Sequence, residues 1–454
     1  MSDTVFIHSQ DQLRQLARDV LRYAQEKGAS NAAVEISEGS GLSVSVRKGA
    51  IETIEQNKDK GMGVTVYLGA DRHTRRGNAS TSDFSQKALQ DTVEAAYNIA
   101  RFTAEDDCAG LPEAELLEMA PRDLQLCHPW LISAEEAVEL AKRCEAAAFA
   151  VDKRITNSEG ASVYAQQSHF VSANSRGFIG GYPFSRHSLS VGPIAGRGAN
   201  MQRDDWYSSA RDARDMAAPE AIGTYAAHRA LARLNARKLD TRKCPVLFEA
   251  PLAVGLLGAF VQAVSGGALY RKSTFLLDSL NTQVFGKHVQ IVEDPHVIGG
   301  VGSSPFDDEG VRTQRRDVVK DGVVQGYFLS SYSARKLGLT TTGNSGGSHN
   351  LTMTSSLTAP TDDFVAMLKK LGTGLLVTEL MGQGVNYVTG DYSRGASGYW
   401  VENGIIQYPV EEITIAGNMK EMFTQIAAIG ADTLSRGTKQ TGSILIESMT
   451  VAGG

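Results

Sequence analysis

Three strand–turn–strand spellings constrain any fold of this 454-residue chain. Residues 46–51 turn at Lys48-Gly49-Ala50, residues 317–329 turn at Asp321-Gly322, and residues 398–410 turn at Asn403-Gly404. A polar residue followed by glycine closes tight antiparallel hairpins, because both central positions of the favoured turn need positive φ. Parallel strands would require long crossovers instead. The three units are too unequally spaced for a repeat array, so they read as separate hairpins in large antiparallel sheets.

Helical periodicity fills much of the remaining sequence. Residues 10–28 carry Leu13, Leu16, Ala17, Val20, Leu21 and Ala24 on one face, with Gly28 as a stop. Residues 80–102 place Phe84, Ala88, Leu89, Val93, Ala96 and Ile99 similarly. Ser133-Ala134-Glu135-Glu136 spells a capping box that opens a helix to about residue 151. Residues 208–238 read as helical with an interruption at Pro219, and residues 251–269 as helix-like but glycine-rich. Strands are expected at 33–38, 42–48, 51–56, 63–68, 161–173, 187–191 and 243–248. Helices and hairpins segregate, which predicts an α+β fold. The expected organisation is an N-terminal α+β region over 1–240, with subdomains at about 1–105 and 130–240 joined through 104–129. A sheet-rich domain over 241–454 follows.

Composition narrows the function classes. A hydrophobic share of 42% with 21% charged residues excludes wholesale disorder. The net charge of −6, from 45 Lys plus Arg against 51 Asp plus Glu, argues against a nucleic-acid binder that relies on overall charge. Cys108, Cys127, Cys144 and Cys244 form no CxxC and fit a reducing compartment. The N-terminal stretch lacks a basic segment followed by an apolar one, and no run approaches 18 apolar residues. A cytoplasmic protein without nucleic-acid or membrane partners is expected.

Catalytic spellings are scarce. No two of the nine histidines lie three or four residues apart, so no helix face offers paired imidazoles to a metal. His288 and His296, with Glu293 between them, are the nearest pair. Gly343-Asn344-Ser345-Gly346-Gly347 matches the nucleophile-elbow pattern, but the run of small polar residues reads as an open loop. Gly61-Met62-Gly63, Gly196-Arg197-Gly198 and Gly382-Gln383-Gly384 each lack the third glycine of a dinucleotide fingerprint. Arg312, Arg315 and Arg316 lie among Asp307, Asp308, Glu309 and Asp317 and read as a self-paired loop. Arg271 and Lys272, after Tyr270, could receive an anion or a peptide carboxylate.

Several long blocks change that picture. ITNSEG (155–160), LYRKSTFLLDSL (269–280), PFDDEGVRTQRRDVVKDG (305–322), SYSARKLGL (331–339), the run VTELMGQGVNYVTGDYSRGASGYWVENGIIQYPVEEITIAGNM (377–419) and the ending VAGG occur in one order. In these the chain resembles the PmbA/TldD family, specifically its PmbA (TldE) branch, over essentially its whole length. The resemblance implies a cytoplasmic complex of a PmbA-like with a TldD-like chain. Such a complex is a zinc metallopeptidase acting on precursor peptides, such as microcin leader regions, and on unfolded antitoxin-type polypeptides. In the TldD branch an H-E-x-x-x-H helix and a late cysteine hold the zinc and its activated water.

Here the matching helix is residues 255–263. The His, Glu and His positions fall on Gly258, Ala259 and Ala263, and the cysteine position falls at Thr441. Three of these have no donor atom, and a threonine hydroxyl is a poor zinc ligand. The expectation is therefore no cofactor in this chain, zinc in the TldD-like partner, and no catalytic residue here. Extended peptide would be held by sheet-edge addition at 384–389, including Gly384, Val385, Asn386 and Tyr387, with help from Arg271 and Lys272. An isolated chain could pair with a second copy through the surface meant for its partner. Two other readings stay open: a regulatory protein acting on DNA gyrase or a toxin–antitoxin system, and an independent hydrolase using Ser345.

Overall fold

In the computed structural model, residues 6–70 and 73–453 are described. The first five residues of the N-terminal stretch read above, and Gly454 of the VAGG ending, lie outside them. The first half of the chain builds one eight-stranded sheet with helices on one face. Its elements are α1 (Gln10–Glu26), β1 (Asn31–Arg47), β2 (Ala50–Leu68), β3 (Arg75–Thr81), α2 (Gln86–Phe102), α3 (Ala134–Val151) and β4 (Ile155–Asn174). After them come β5 (Ile179–Gly180), β6 (Pro183–Ala195), β7 (Gln202–Arg203), β8 (Trp206–Ala210) and α4 (Pro219–Ala232). The strand order is β3-β2-β1-β4-β6-β7, with β5 on β4 and β8 on β6. Both expected N-terminal subdomains thus contribute to a single sheet.

Periodicity explains which faces are covered. Leu13, Ala17, Val20 and Ala24 of α1 are buried with Leu89, Val93, Ala96 and Ala100 of α2 against Val34, Ile36, Met62 and Val64. Farther along the same strands, α3 and α4 cover Val44, Val46, Val163, Leu189 and Val191. Ser133 and Glu136 form the expected capping box, and Ser9 with Gln12 forms another that the sequence reading passed over.

The second half holds two further sheets. Its elements begin with β9 (Arg242–Phe248), α5 (Ala250–Ala263), α6 (Gly266–Tyr270), β10 (Val289–Asp294), β11 (Arg316–Lys320), β12 (Val323–Val324), α7 (Ser331–Leu337) and β13 (Asn350–Ser355). They continue with α8 (Phe364–Leu371), β14 (Gly374–Met381), β15 (Asp391–Glu402), β16 (Ile405–Asn418), α9 (Met419–Thr424), β17 (Ile426–Ile429), β18 (Lys439–Gln440) and β19 (Ile444–Gly453). One sheet runs β12-β11-β10-β13-β18. The other runs β16-β15-β14-β9-β19-β17, and an added β16–β19 pairing closes five of its strands into a ring. The α+β class is the observed one, and no described helix is long and apolar enough to cross a membrane.

All three hairpins form. Lys48 and Gly49, Asp321 and Gly322, and Asn403 and Gly404 each have positive φ at both positions, between 50° and 77°. That is the mirror-image turn that suits the twist of paired strands.

Other element readings need correction. The pairs 33–38 with 42–48 and 51–56 with 63–68 are each one continuous strand, because the intervening glycines and polar residues keep the ladder. Residues 80–85 precede α2 rather than belong to it; Ser85 is its N-cap. Residues 206–210 form a strand, and Pro219 starts α4 instead of breaking a helix, since a first-turn proline has no amide proton to lose. Arg312, Arg315 and Arg316 find partners outside their own loop, at the Leu117 carbonyl, Asp294 and Glu293.

The first hairpin turn is held from α3. Glu145, 2% exposed, accepts the Lys48 and Gly49 amide protons at 2.9 and 2.8 Å. Glu145→Ala is expected to cost about 1.5–3 kcal/mol, the range for hydrogen bonds to a charged group. Urea unfolding with amide exchange at Lys48 and Gly49 checks this, and unaltered exchange there would refute the anchoring.

Candidate functional site

The glycine-bearing helix α5 starts at a buried charge network. Glu249 follows β9 and is the N-cap residue of α5, and its own amide proton goes to the Val377 carbonyl at 3.1 Å. Arg229 of α4 reaches across from the first half, donating to Glu249 at 2.8 Å and to Asp204 at 3.1 Å. One turn later Arg233 pairs with Glu379 of β14 and lies 3.6 Å from Asp204. The side chains of Arg229, Glu249, Asp204 and Arg233 are only 10–14% exposed.

Burial pulls Arg229 down, but the carboxylates of Glu249 and Asp204 reverse this and hold it well above its ordinary value. Burial pushes Glu249 up, against the pull of Arg229. Arg229 also stacks over Trp206, 5.1 Å from the ring centroid, while Arg436 lies over Trp206 and Tyr207 at 3.7 and 4.1 Å. None of these residues was singled out from sequence. The only local signal was Arg229 and Arg233 four apart on one helix face; their partners are far along the chain.

From that anchor α5 runs with Ala253, Leu256, Leu257, Phe260 and Ala263 in the core. Phe260 packs edge-on against Phe285 and Phe423. The opposite stripe is bare: a Cβ added at Gly255 or Gly258 would meet nothing within 4 Å. Ala259 is 5% exposed and Ala263 fully buried. The helix packs against β18, and Thr441 directly follows that strand. Thr441 is fully buried, and its hydroxyl has no hydrogen-bond partner. Gly258, Ala259, Ala263 and Thr441 thus lie on two neighbouring elements but present one unpartnered hydroxyl and no nitrogen, sulfur or carboxylate. Such a set does not fit zinc. Among the described residues no group of three or more His, Cys, Asp or Glu could hold a metal ion.

The histidine pair does not converge either. Both ring nitrogens of His288 are engaged, with Ser355 Oγ and the Ile426 carbonyl at 2.8 Å each. His296 lies 3.2 Å from the Thr313 hydroxyl. Glu293, 1% exposed, accepts from Arg316, Asn344 and the His349 amide at 2.7–2.8 Å.

Ser345 is not a nucleophile elbow. It sits between α7 and β13 on a turn where Gly343, Gly346 and Gly347 take positive φ, with no strand before it or helix after it. The nearby His349 ring bonds the Gly343 carbonyl at 2.9 Å. Among the described residues no imidazole hydrogen-bonds the Ser345 hydroxyl.

Residues 384–389 are a loop, not an edge strand. Gly382 turns the chain at φ 72°. The loop then folds back on β15: Ser393 N–H donates to the Gly384 carbonyl and Asn386 N–H to the Asp391 carbonyl, at 2.7 and 2.8 Å. Val385 makes one isolated bridge, to Tyr392. A Cβ at Gly384 would lie 1.6 Å from the Ser393 oxygen, so only glycine permits this approach. The loop's main-chain groups are therefore largely spent. The structure does bring it beside the other nominated segment, since Phe275 N–H donates to the Tyr387 carbonyl at 2.7 Å. Arg271 and Lys272 are exposed there, with Arg271 bonded to the Tyr270 hydroxyl at 3.0 Å.

Residues 32–100, 127–234 and 241–453 match the models for PmbA/TldA metallopeptidase domain 1, central domain and C-terminal domain. The chain belongs to the PmbA/TldD metallopeptidase family. It is 49% identical over 425 residues to Metalloprotease PmbA of Escherichia coli O157:H7, covering 94% of this chain and 93% of that relative. A Bacteroides thetaiotaomicron crystal structure, described as a candidate modulator of DNA gyrase, superposes with a TM-score of 0.91 at 26% identity over 99% of this chain and all of that one. TldE from Thermococcus kodakarensis superposes with a TM-score of 0.81 at 19% identity, over 96% of this chain and all of that one, a likeness of fold alone.

The anchor can be tested. Arg229→Met leaves Glu249 buried without its cation and is expected to cost about 3–5 kcal/mol near pH 8. Without Arg229, the folded-state pKa of Glu249 lies still farther above its unfolded value. The penalty is then largest above that pKa and shrinks as the pH falls toward 5 and the carboxyl protonates. Unfolding curves at both pH values check this; a pH-independent penalty would show that Glu249 carries no charge that matters.

Proposed function

We propose that this chain is the metal-free subunit of a two-chain zinc peptidase, with the metal held by a TldD-like partner. The reading rests on Gly258, Ala259, Ala263 and Thr441, the positions that the family resemblance aligns with a zinc site: they lie on packed neighbouring elements and offer no zinc-binding side chain. The fold is kept and the ligands are not, which suits a subunit that shapes a chamber rather than one that activates water. The bare Gly255–Gly258 stripe gives the chamber a smooth wall that clears an extended main chain. Arg271 and Lys272, beside the 384–390 loop, supply exposed positive charge for a carboxylate of the peptide. The substrates are unfolded or modified precursor polypeptides in the cytoplasm, since folded domains would not enter.

A regulatory reading draws on the gyrase-modulator description of the Bacteroides neighbour. A tight complex with gyrase that forms without any peptidase partner would favour it.

The isolated, tag-free chain, purified without chelator, is expected to hold well under one zinc per chain and to leave unfolded peptides intact. Adding a TldD-like chain should produce cleavage that a chelator abolishes. Stoichiometric, chelator-sensitive zinc in the isolated chain would overturn the assignment, and mutation of His288, Glu293 and His296 would then locate it.

A further inference from the structure

A cavity of about 460 Å³ opens on the helix-covered face of the first sheet, between residues 128–130, α3, β6 and the start of α4. That volume is within the ordinary range for a small-molecule site. Its walls are mostly apolar, with Trp130, Leu140, Leu189 and Met216 among them. His128 and Asp212 also line it, and their side chains come together: His128 Nδ1 lies 3.6 Å from Asp212 Oδ2. None of these residues belongs to the site at α5.

The polar end is positioned from β6. Ser185, His187 and Leu189 alternate onto one face of that strand, and the first two are fully buried. Ser185 Oγ accepts the His128 amide proton at 2.8 Å, and His187 Nε2 donates to the His128 carbonyl at 2.9 Å. The His187 ring also meets the Trp130 indole edge-on, with centroids 5.5 Å apart. Both main-chain groups of His128 are thus held, and the indole is braced.

The chemistry of this end is one-sided. A carbonyl oxygen only accepts, so an imidazole nitrogen bonded to one carries the proton. His187 uses Nε2 in this way, and so does His128, at 3.0 Å from the Gln125 carbonyl. The neutral rings then present Nδ1 as a bare lone pair. Burial lowers the pKa of His187, and its Nδ1 is buried without a partner among the described residues. The hydrogen bonds from Arg214 hold the Asp212 carboxyl well below the usual carboxylate range, so it stays ionised. His128 Nδ1 and Asp212 Oδ2 are too far apart for a direct bond, yet one ammonium can lie about 2.9 Å from both. Arg214 shares Asp212, but its side chain is 85% exposed, where solvent screens the pair and leaves it readily exchanged. An indole in the wall also favours a cation.

We propose that this cavity binds a primary ammonium carried on an apolar body. The cation sits between His128 Nδ1 and Asp212, and the body fills the space walled by Trp130, Leu140, Leu189 and Met216. An anion of the same shape is disfavoured, because both groups at the polar end are acceptors and Arg214 is already paired with Asp212. This inference does not rest on the peptidase reading.

Phenethylamine added to the full chain, followed by calorimetry and saturation-transfer NMR, tests it. Saturable binding is expected, and 3-phenylpropionate, with the same ring and the opposite charge, should bind roughly tenfold more weakly or worse. Asp212→Asn retains an acceptor for the Arg214 amide and should weaken phenethylamine about tenfold or more, through loss of a charge-assisted bond. His128→Phe should weaken it several-fold, and Leu140→Trp should abolish binding by filling the cavity. Arg214→Gln removes the competing cation and should tighten it. Displacement of phenethylamine by Phe-Gly-Gly amide, but not by its N-acetylated form, supports the site with a polypeptide N-terminus as the source of the ammonium. Displacement by neither supports it with a free small amine as the source. No saturable binding by the wild type would overturn the proposal. So would equal binding of the two probes, or binding indifferent to both Asp212→Asn and Leu140→Trp. Near-UV circular dichroism shows that each variant is folded; should one unfold, the comparison of the two probes on the wild type still decides.

Discussion

The joint between the halves of this molecule depends on a buried carboxylate, Glu249, and the guanidinium that neutralises it. Arg229 projects from a helix of the first half, and Glu249 stands between the strand that opens the second and helix α5. Neither would be tolerable in an apolar interface alone, since an isolated buried ion costs far more than a hydrogen bond returns. Together with Asp204, Arg233 and Glu379 they fix where α5 starts and how it points. Beyond that start, Phe260 enters its aromatic cluster, β18 passes alongside, and the Gly255–Gly258 stripe faces open space.

A catalytic metal site needs several donors held together with an open coordination position. In this chain Gly258, Ala259, Ala263 and Thr441 supply small side chains and one hydroxyl without a partner. Alanines at 259 and 263 are comfortable in the core, and glycine at 258 keeps the outer surface flat.

The turn that opens β2 is held from α3, where buried Glu145 accepts the Lys48 and Gly49 amide protons, so the register of the first hairpin is fixed at its closed end.

Much of this was legible in the residues themselves. Polar–glycine pairs identified three hairpins, because positive φ at two adjacent positions admits few residue types. The Ser133–Glu136 box marked a helix start, and the ligand-free stretch 251–277 ruled out a zinc helix whatever the fold. Long strands were harder to see: Gly39, Gly41, Gly61 and Gly63 look like breaks, yet a ladder held from both sides tolerates them. Residues 384–389 look like a strand by composition but fold back on β15, since Gly384 allows a backbone approach that no local pattern announces. Sequence alone determined the turns, the helix faces and the lack of His, Cys, Asp and Glu within residues 251–277, which are local properties of residue type. Only the tertiary structure decided that Arg229 would meet Glu249 and that Thr441 would lie beside α5. Those depend on contacts between residues far apart in the chain, and no short-range pattern encodes them.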